Sequence, residues 1–263
     1  MKRQHEVIAS VMPFILLLPF LIGVEPSSQE LVESLRKQRV VASVEIEPAK
    51  TQATKRIIHI LDWHYVDEKS FVADIQDAAD DKLSEDEIKE AVEQHRKTVR
   101  KVQKQEKQLI LFLISELGIK RVFHEGFTSE ELEAYKKRIK ILKEFEPPTG
   151  DGGFDLFIRH EYQTDLMLIG TPGQLLIDEK LEAVLPAEEA EAYKAANPLK
   201  DGKIVFDEKA NEAREDAIVR RVLSGTARTQ ILVLGGAHDL SDNVPDDCEY
   251  IRVTVKAYRN VSQ

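Results

Sequence analysis

The fold class can be inferred from one short stretch, Arg56-Ile57-Ile58-His59-Ile60-Leu61-Asp62-Trp63-His64-Tyr65. Its first six residues are mostly apolar and β-branched, as in a buried strand, and polar residues follow where such a strand would end. The same pattern recurs at residues 121–124, which run into Glu125-Gly126, and at residues 231–234, which run into Gly235-Gly236-Ala237-His238. Helical patterns lie between these runs. Strands that alternate with helices indicate an α/β domain with a largely parallel sheet.

A long helix is predicted between the first two strands, over about residues 84–117. Ser84 followed by Glu87 is a capping-box pattern, apolar residues then recur at spacings of three and four, and Gly118 supplies the stop. Residues 147–153 contain two prolines and three glycines and therefore predict a loop. The other predicted elements are helices at residues 129–145, 186–197 and 211–223 and strands at residues 166–169 and 249–258.

Composition narrows the class of protein. The chain has 263 residues, 32% of them charged, and a net charge of −10, which fits an acidic domain with one core. The acidic balance argues against nucleic acid as a partner, because binding to phosphates needs a basic face. Cys248 is the single cysteine, which excludes an intrachain disulfide and a zinc site built from several cysteines.

The first 24 residues do not fit this description. Met1-Lys2-Arg3 precedes an almost entirely apolar run from Val7 to Val24, which is the layout of a signal peptide or a signal-anchor. We therefore expect export to the periplasm or another extracytoplasmic space, with membrane contact through this segment only; a buried N-terminal core helix is the alternative. Residues 25–55 are polar and are interpreted as a lead-in or linker, and residues 56–263 as a single domain.

Polar residues at the predicted strand ends form the candidate site. In an open α/β sheet, side chains just past the carboxyl ends of the strands gather in one crevice, which here would bring Asp62 and His64 together with Glu125 and His238. Two imidazoles and one carboxylate are a usual ligand set for a catalytic divalent metal. We therefore predict a metal site at His64, Glu125 and His238, with Asp62 contacting the cofactor. The competing interpretation is that each histidine is a structural, hydrogen-bonded residue.

Arg214 is the candidate for binding an anion near this site. It opens a predicted helix, and its planar guanidinium could donate to a substrate carboxylate or to an oxyanion, whereas pairing with Glu208 or Asp216 on an exposed helix face is the structural alternative. His95 and His124 are predicted to be hydrogen-bonded interior groups. The chain has no Walker-type phosphate loop and no dinucleotide fingerprint, which disfavours nucleotide binding.

Four motifs carry these candidates: Leu61-Asp62-Trp63-His64, His124-Glu125-Gly126, Ala213-Arg214-Glu215-Asp216 and Gly235-Gly236-Ala237-His238. Together they resemble the motifs of the TraB/Tiki group, within the superfamily of erythromycin esterase and the ChaN-type haem-uptake lipoproteins. The resemblance implies an α/β fold with a central mixed sheet and a site formed by His64, Glu125, Arg214 and His238. Leu61 stands where the first motif has a glycine, and Asp62 is similar to the glutamate of the ChaN and esterase branches.

The leading hypothesis is therefore an exported metal-dependent hydrolase that cleaves a peptide or ester bond in a peptide or a small-molecule substrate. His64, Glu125 and His238 would hold a divalent ion, which is Mn, Co, Zn or Fe. Glu125 is alternatively the general base, and Arg214 would stabilise the oxyanion. The rival hypothesis is a non-catalytic envelope protein that binds haem, iron or a peptide at the same residues. The third hypothesis is a scaffold protein that neither hydrolyses a substrate nor binds such a ligand.

Overall fold

A computed structural model of the chain describes residues 25–79, 82–197, 199–200, 203–205 and 207–261. The described helices are α1 (Ser28–Arg36), α2 (Glu68–Ala78), α3 (Glu85–Leu117), α4 (Leu132–Glu144), α5 (Gly153–Leu168), α6 (Gly170–Ile177), α7 (Ala190–Ala195), α8 (Glu208–Leu223) and α9 (Lys256–Arg259). The described strands are β1 (Val41–Glu47), β2 (Lys55–Asp62), β3 (Arg121–Thr128), β4 (Ala183–Glu188), β5 (Leu199–Lys200), β6 (Lys203–Ile204), β7 (Thr229–Gly235) and β8 (Cys248–Val255).

The predicted signal or anchor, residues 1–24, lies outside the described residues. Within the part of the chain that the structure describes, no helix combines the length and the apolar character needed to cross a membrane.

Six strands form one sheet in the order β1-β8-β2-β7-β3-β4. β2 pairs in parallel with β7 and β8, and β3 pairs in parallel with β7 and β4, whereas the edge strand β1 is antiparallel to β8. The prediction of an α/β fold with a mixed, largely parallel sheet is confirmed. β5 and β6 pair with each other as a separate two-stranded sheet.

Helices cover the central strands of this sheet from both sides, so these strands are buried on both faces. One core cluster includes Ile60 of β2 together with Leu35 of α1 and Leu109 of α3. The cluster on the opposite face includes Ile57 of β2 and Ile218 of α8. All seven residues of β7 are buried, which fits the run of four apolar residues from Ile231 to Leu234.

The segment interpreted as a lead-in, residues 25–55, contains α1 and β1. Leu31, Val32 and Leu35 of α1 are part of the core, and β1 pairs with β8 along its length. The sheet therefore includes a strand that precedes the stretch from which the fold class was inferred.

The predicted long helix is confirmed as α3. The hydroxyl of Ser84 accepts a hydrogen bond from the backbone N–H of Glu87, and the Glu87 side chain reaches back to the backbone of Ser84. Gly118 ends the helix with a φ of 67°, a left-handed conformation that favours glycine. The buried residues of α3 recur along one stripe, which packs against the sheet and α6.

The structure differs from two predictions in the middle of the chain. The prediction of a strand at residues 166–169 is wrong, because these residues form the end of α5 and its junction with α6. Periodicity does not separate so short an apolar run from a buried helical turn. The helix predicted at residues 186–197 is shorter, since the end of β4 comes first and α7 follows. Pro186 is tolerated in β4 because β4 is an edge strand.

Candidate functional site

The register of the sheet places the ends of three strands side by side. Asp62, the last residue of β2, is aligned with Gly235, the last residue of β7, and β3 passes the same edge through Glu125. His64 follows β2 by two residues, and His238 follows β7 by three. The structure therefore brings Asp62, His64, Glu125 and His238 together at the carboxyl edge of the sheet.

His64 is held between two carboxylates. Its Nδ1 lies 2.9 Å from Asp62 Oδ2, and its Nε2 lies 2.8 Å from Glu125 Oε2. Since an ionised carboxylate only accepts hydrogen bonds, both ring nitrogens donate and the ring is charged. Desolvation opposes this charge, but the two carboxylates outweigh it and raise the pKa of His64 well above its ordinary value of 6.5. The side chain remains 41% exposed.

Glu125 lies at the centre of the cluster. Its Oε2 accepts hydrogen bonds from His64 and from the backbone N–H of Gly235, and its Oε1 lies 3.0 Å from Arg214 Nη2. Burial opposes ionisation, but the charges of His64 and Arg214 and these hydrogen bonds hold the pKa of Glu125 well below its usual range. A Cβ at position 235 would lie 2.8 Å from His64 Nε2, so this close approach requires the glycine.

Arg214 is held by side chains of the same cluster. Its Nε lies 3.1 Å from Glu188 Oε2, its Nη2 also contacts Glu188, and its Nη1 lies 3.1 Å from His238 Nε2. The structural alternative, an exposed arginine paired with Glu208 or Asp216, is wrong, because the side chain is 13% exposed and its donors face Glu188 and His238. A role in anion binding would require Arg214 to exchange one of these partners.

His238 is fixed by a carboxylate on the side of the ring away from Glu125. Its Nδ1 lies 2.7 Å from Glu215 Oε1, which makes Nδ1 the donor. Its Nε2 is then an acceptor for Arg214 and lies 3.7 Å from Glu125 Oε1. This tautomer is assigned from the hydrogen-bond network. Because Arg214 and Glu215 are adjacent residues of α8, one helix supplies both partners of His238.

A further carboxyl group, absent from the sequence-based candidates, lies behind Asp62. Glu106 of α3 is fully buried, and its Oε2 accepts a hydrogen bond of 2.6 Å from Thr171 Oγ1. Burial, together with the negative charge of Asp62, raises the pKa of Glu106 well above its ordinary value and so favours its protonated, neutral form. A signal was present in the sequence, because Gln105-Glu106 interrupts the apolar stripe of α3 and a buried polar group needs a partner.

The three predicted metal ligands are already paired with protein groups. His64 donates through both ring nitrogens, and His238 Nε2 accepts from Arg214, whereas metal ligation needs a free imidazole lone pair. The Arg214 guanidinium also places a positive charge next to Glu125. Among the residues that the structure describes, no three His, Cys, Asp or Glu side chains are arranged so that they could hold a metal ion. The predicted ligand set does not fit a divalent ion in this arrangement.

Two other histidines are predicted to be hydrogen-bonded interior groups. The prediction is confirmed for His95, whose Nε2 accepts a hydrogen bond of 3.2 Å from the backbone N–H of Val66. For His124 the interior position is confirmed but the hydrogen bonding is not, because neither ring nitrogen has a hydrogen-bond partner within the described part of the chain. Burial lowers the pKa of His124 to about 4, so its ring is neutral at neutral pH.

A cavity of about 490 Å³ opens beside the cluster, and His64 and Glu125 form part of its wall. Most of the remaining wall is aromatic or aliphatic: Tyr65, Phe127, Ala134, Tyr135, Leu168, Ile169 and Tyr193. A second cavity, of about 530 Å³, is lined by Arg214 and His238. A molecule of substrate size therefore reaches His64 from the first cavity, and Arg214 from the second.

Comparison with known proteins adds no further guide to the site. No protein-family model matches the chain, and neither a curated protein nor a solved structure matches it. The resemblance to the TraB/Tiki group therefore stays a prediction from short motifs, and the function has to be argued from the geometry of His64 and its partners.

Proposed function

We propose that the protein hydrolyses an ester or peptide bond, with His64 as the residue that transfers the proton. One observation carries this proposal: His64 lines a cavity, and its two ring nitrogens lie 2.9 Å and 2.8 Å from carboxylates. An imidazole in such a place can exchange a proton with a bound molecule, because the ring remains partly exposed. The two carboxylates favour its charged form, so the neutral form that acts as a base becomes more abundant as the pH rises. The motifs that resemble the TraB/Tiki group support the same class of activity.

The reaction follows from the two protonation states of His64. The charged ring first loses a proton to solvent, and bound substrate and water displace Glu125 from Nε2. The neutral imidazole then takes a proton from the water molecule, whose oxygen adds to the carbonyl carbon of the substrate. The imidazolium that results is the form that Asp62 and Glu125 stabilise. The imidazolium then gives the proton to the leaving alcohol or amine as the C–O or C–N bond breaks, and His64 returns to its neutral form.

Glu125 and Arg214 are positioning residues in this scheme. The lowered pKa of Glu125 makes it a weak base, so its contribution is to orient His64 and to stabilise the imidazolium. Arg214 holds Glu125 in place through Nη2. A direct contact between Arg214 and the oxyanion would require the guanidinium to leave Glu188 or His238.

A metal-dependent form of the hydrolase would need a different arrangement of the cluster. Mn, Co, Zn or Fe at His64, Glu125 and His238 requires that Arg214 no longer donates to His238. Metal analysis of the purified protein, combined with activity after treatment with EDTA, separates the two forms. Activity that is lost with the metal and restored by one of these ions would favour the metal-dependent form, whereas activity that survives would favour His64 acting without a metal.

The alternative is a non-catalytic envelope protein that binds haem, iron or a peptide. The aromatic wall of the first cavity favours this alternative, because rings such as those of Tyr65 and Tyr193 bind planar or apolar ligands without any chemistry. A shift of the Soret band when haem is added, together with no turnover of esters or peptides, would support it.

The deciding experiment compares His64→Gln with the unchanged protein on a panel of esters and peptides. Glutamine keeps the polarity of the side chain but cannot carry the proton, so kcat/KM is expected to fall by about 10²–10⁴-fold. His160→Gln is the matched control, because it makes the same substitution at an exposed histidine of α5 outside the cavity wall, where glutamine keeps a side chain that can accept from Arg96. Equal rates for His64→Gln and the unchanged protein would refute the role of His64, and no turnover by the unchanged protein would refute the hydrolase.

We also propose that the protein is exported and that residues 1–24 are the segment that directs this export. The basic start and the apolar run support this proposal. Cell fractionation with mass measurement of the recovered chain tests it, and full-length protein found in the cytoplasm would contradict it.

A further inference from the structure

The first cavity offers few free charges to a ligand. Beyond the cluster around His64, two charged side chains reach its wall, and each has a partner within the protein. Arg138 contacts the carboxylate of Asp165, and Glu131 accepts hydrogen bonds from the backbone N–H and the hydroxyl of Thr128. Neither Arg138 nor Glu131 therefore offers an unpaired charge to a charged ligand group in this cavity.

The aromatic part of the wall presents ring surfaces. Phe127 and Tyr135 are stacked, with ring centroids 4.3 Å apart and an angle of 5° between the planes. The hydroxyl of Tyr135 donates a hydrogen bond of 3.1 Å to the carbonyl of Ile169, so its polar group is already used. Tyr193 packs its ring against the guanidinium of Arg214, 5.2 Å from the centroid. Parts of these ring faces are covered by these contacts, and the rings with the neighbouring aliphatic side chains give this part of the wall an apolar character that favours apolar groups.

We propose that the first cavity binds an uncharged, largely apolar acyl group of the substrate and thereby places its carbonyl beside His64. This inference rests on the proposed hydrolase function and names the substrate class for the same site. The substrate is accordingly a neutral ester or amide with an aromatic or aliphatic acyl group, and a charged acyl group is bound less tightly because the wall offers it no unpaired counter-charge.

Binding can be measured separately from catalysis with three ligands of nearly equal shape: 2-naphthamide, which is neutral, 2-naphthoate, which is an anion, and 2-naphthamidine, which is a cation. Calorimetric titration of the purified protein is expected to show binding of the amide that is about tenfold or more tighter than binding of either charged ligand. Equal or tighter binding of a charged ligand would overturn the proposal, and so would the absence of binding by the amide.

A charge placed in the wall provides the matched test. Leu168 lines the cavity. Leu156 lies on the same helix, α5, but outside the wall of the cavity, and both side chains are exposed. Leu168→Lys is expected to shift the preference toward 2-naphthoate by about tenfold, whereas Leu156→Lys leaves the preference unchanged. An identical response of the two variants would show that the ligand binds elsewhere and would overturn the proposal.

Hydrolysis distinguishes this inference from the proposed function. The p-nitrophenyl esters of butyrate, succinate and 4-aminobutyrate share a leaving group and differ in the charge of the acyl chain. Faster turnover of the butyrate ester supports both proposals, and faster turnover of a charged ester overturns the substrate class but keeps the hydrolase. Selective binding of 2-naphthamide without turnover of any ester would keep the ligand class and overturn the hydrolase.

Discussion

At the level of single residues, the cluster is a row of side chains in which each contacts the next. Glu106 adjoins Asp62, His64 lies between Asp62 and Glu125, and Arg214 holds the far oxygen of Glu125. Charges alternate along this row from Asp62 to Arg214. Each charge is therefore stabilised by an opposite charge beside it, although burial removes water from it. Glu106 is different, because burial and the adjacent charge of Asp62 both favour its neutral form.

The neutral state of Glu106 can be tested with an isosteric substitution. If Glu106 is protonated, Glu106→Gln is expected to change the free energy of unfolding by less than about 1 kcal/mol, because glutamine reproduces the neutral form that burial favours and can still accept from Thr171. Asp62→Asn is expected to cost about 1–3 kcal/mol, since it removes a charge that stabilises the His64 imidazolium. Urea unfolding at neutral pH measures both values. A larger loss in Glu106→Gln than in Asp62→Asn would mean that Glu106 is ionised.

At the level of elements, α2 is attached to the molecule through a small number of side chains. None of its residues is buried. Glu68 Oε2 lies 2.9 Å from Arg96 Nη2 on α3. Phe71 stacks on His95, the residue of α3 before Arg96, with ring centroids 4.4 Å apart. The loop before α2 is held by the same histidine, which accepts from the backbone N–H of Val66. Two neighbouring residues of α3 therefore hold the start of α2 and the loop before it.

Acidification is expected to loosen α2. Burial lowers the pKa of His95 below its ordinary value of 6.5, and the charge of Arg96 acts in the same direction, so the docked state prefers the neutral ring. The stabilisation is therefore fully present above 6.5 and is lost as the pH falls below that value toward the lowered pKa. Hydrogen exchange of α2, corrected for the intrinsic rate, measures the effect between about pH 8 and about pH 5.

His95→Gln serves as the comparison for this pH effect. Glutamine keeps an acceptor for the backbone of Val66 but does not titrate, so exchange of α2 in the variant should not respond to pH in this range. If pH changes the exchange of α2 equally in the variant and in the unchanged protein, a group other than His95 controls the pH dependence of this exchange.

At the level of the whole molecule, the core includes the N-terminal part of the described chain. Leu35 of α1 is fully buried in the same cluster as the central strands, although it lies in the segment interpreted as a lead-in. Leu35→Ala is expected to lower the free energy of unfolding by about 2–5 kcal/mol, because it leaves a cavity in that core. Denaturant unfolding measures the change, with the exposed Leu156→Ala as control, which should shift stability by about 0.5 kcal/mol or less. Equal effects of the two variants would mean that α1 does not stabilise the domain.

Local patterns were sufficient for much of the fold. The apolar runs before Asp62 and before Gly235 predicted β2 and β7, and the capping box at Ser84 and the glycine at 118 predicted both ends of α3. These features depend on residues within one element, where side-chain periodicity and backbone preference act directly. The strand predicted at residues 166–169 failed because an apolar run of four residues fits either a strand or a buried helical turn.

Amino-acid types and strand-end positions were also sufficient to nominate His64, Glu125 and His238 as neighbours, because parallel strands end at one edge of a sheet. Their partners required the folded chain. The pairing of Arg214 with Glu188 and the approach of Glu106 to Asp62 join residues that are far apart in sequence, and their pKa values depend on burial that no local pattern contains. The chemistry of the site is therefore set by long-range packing, which places charges next to one another and removes water from them.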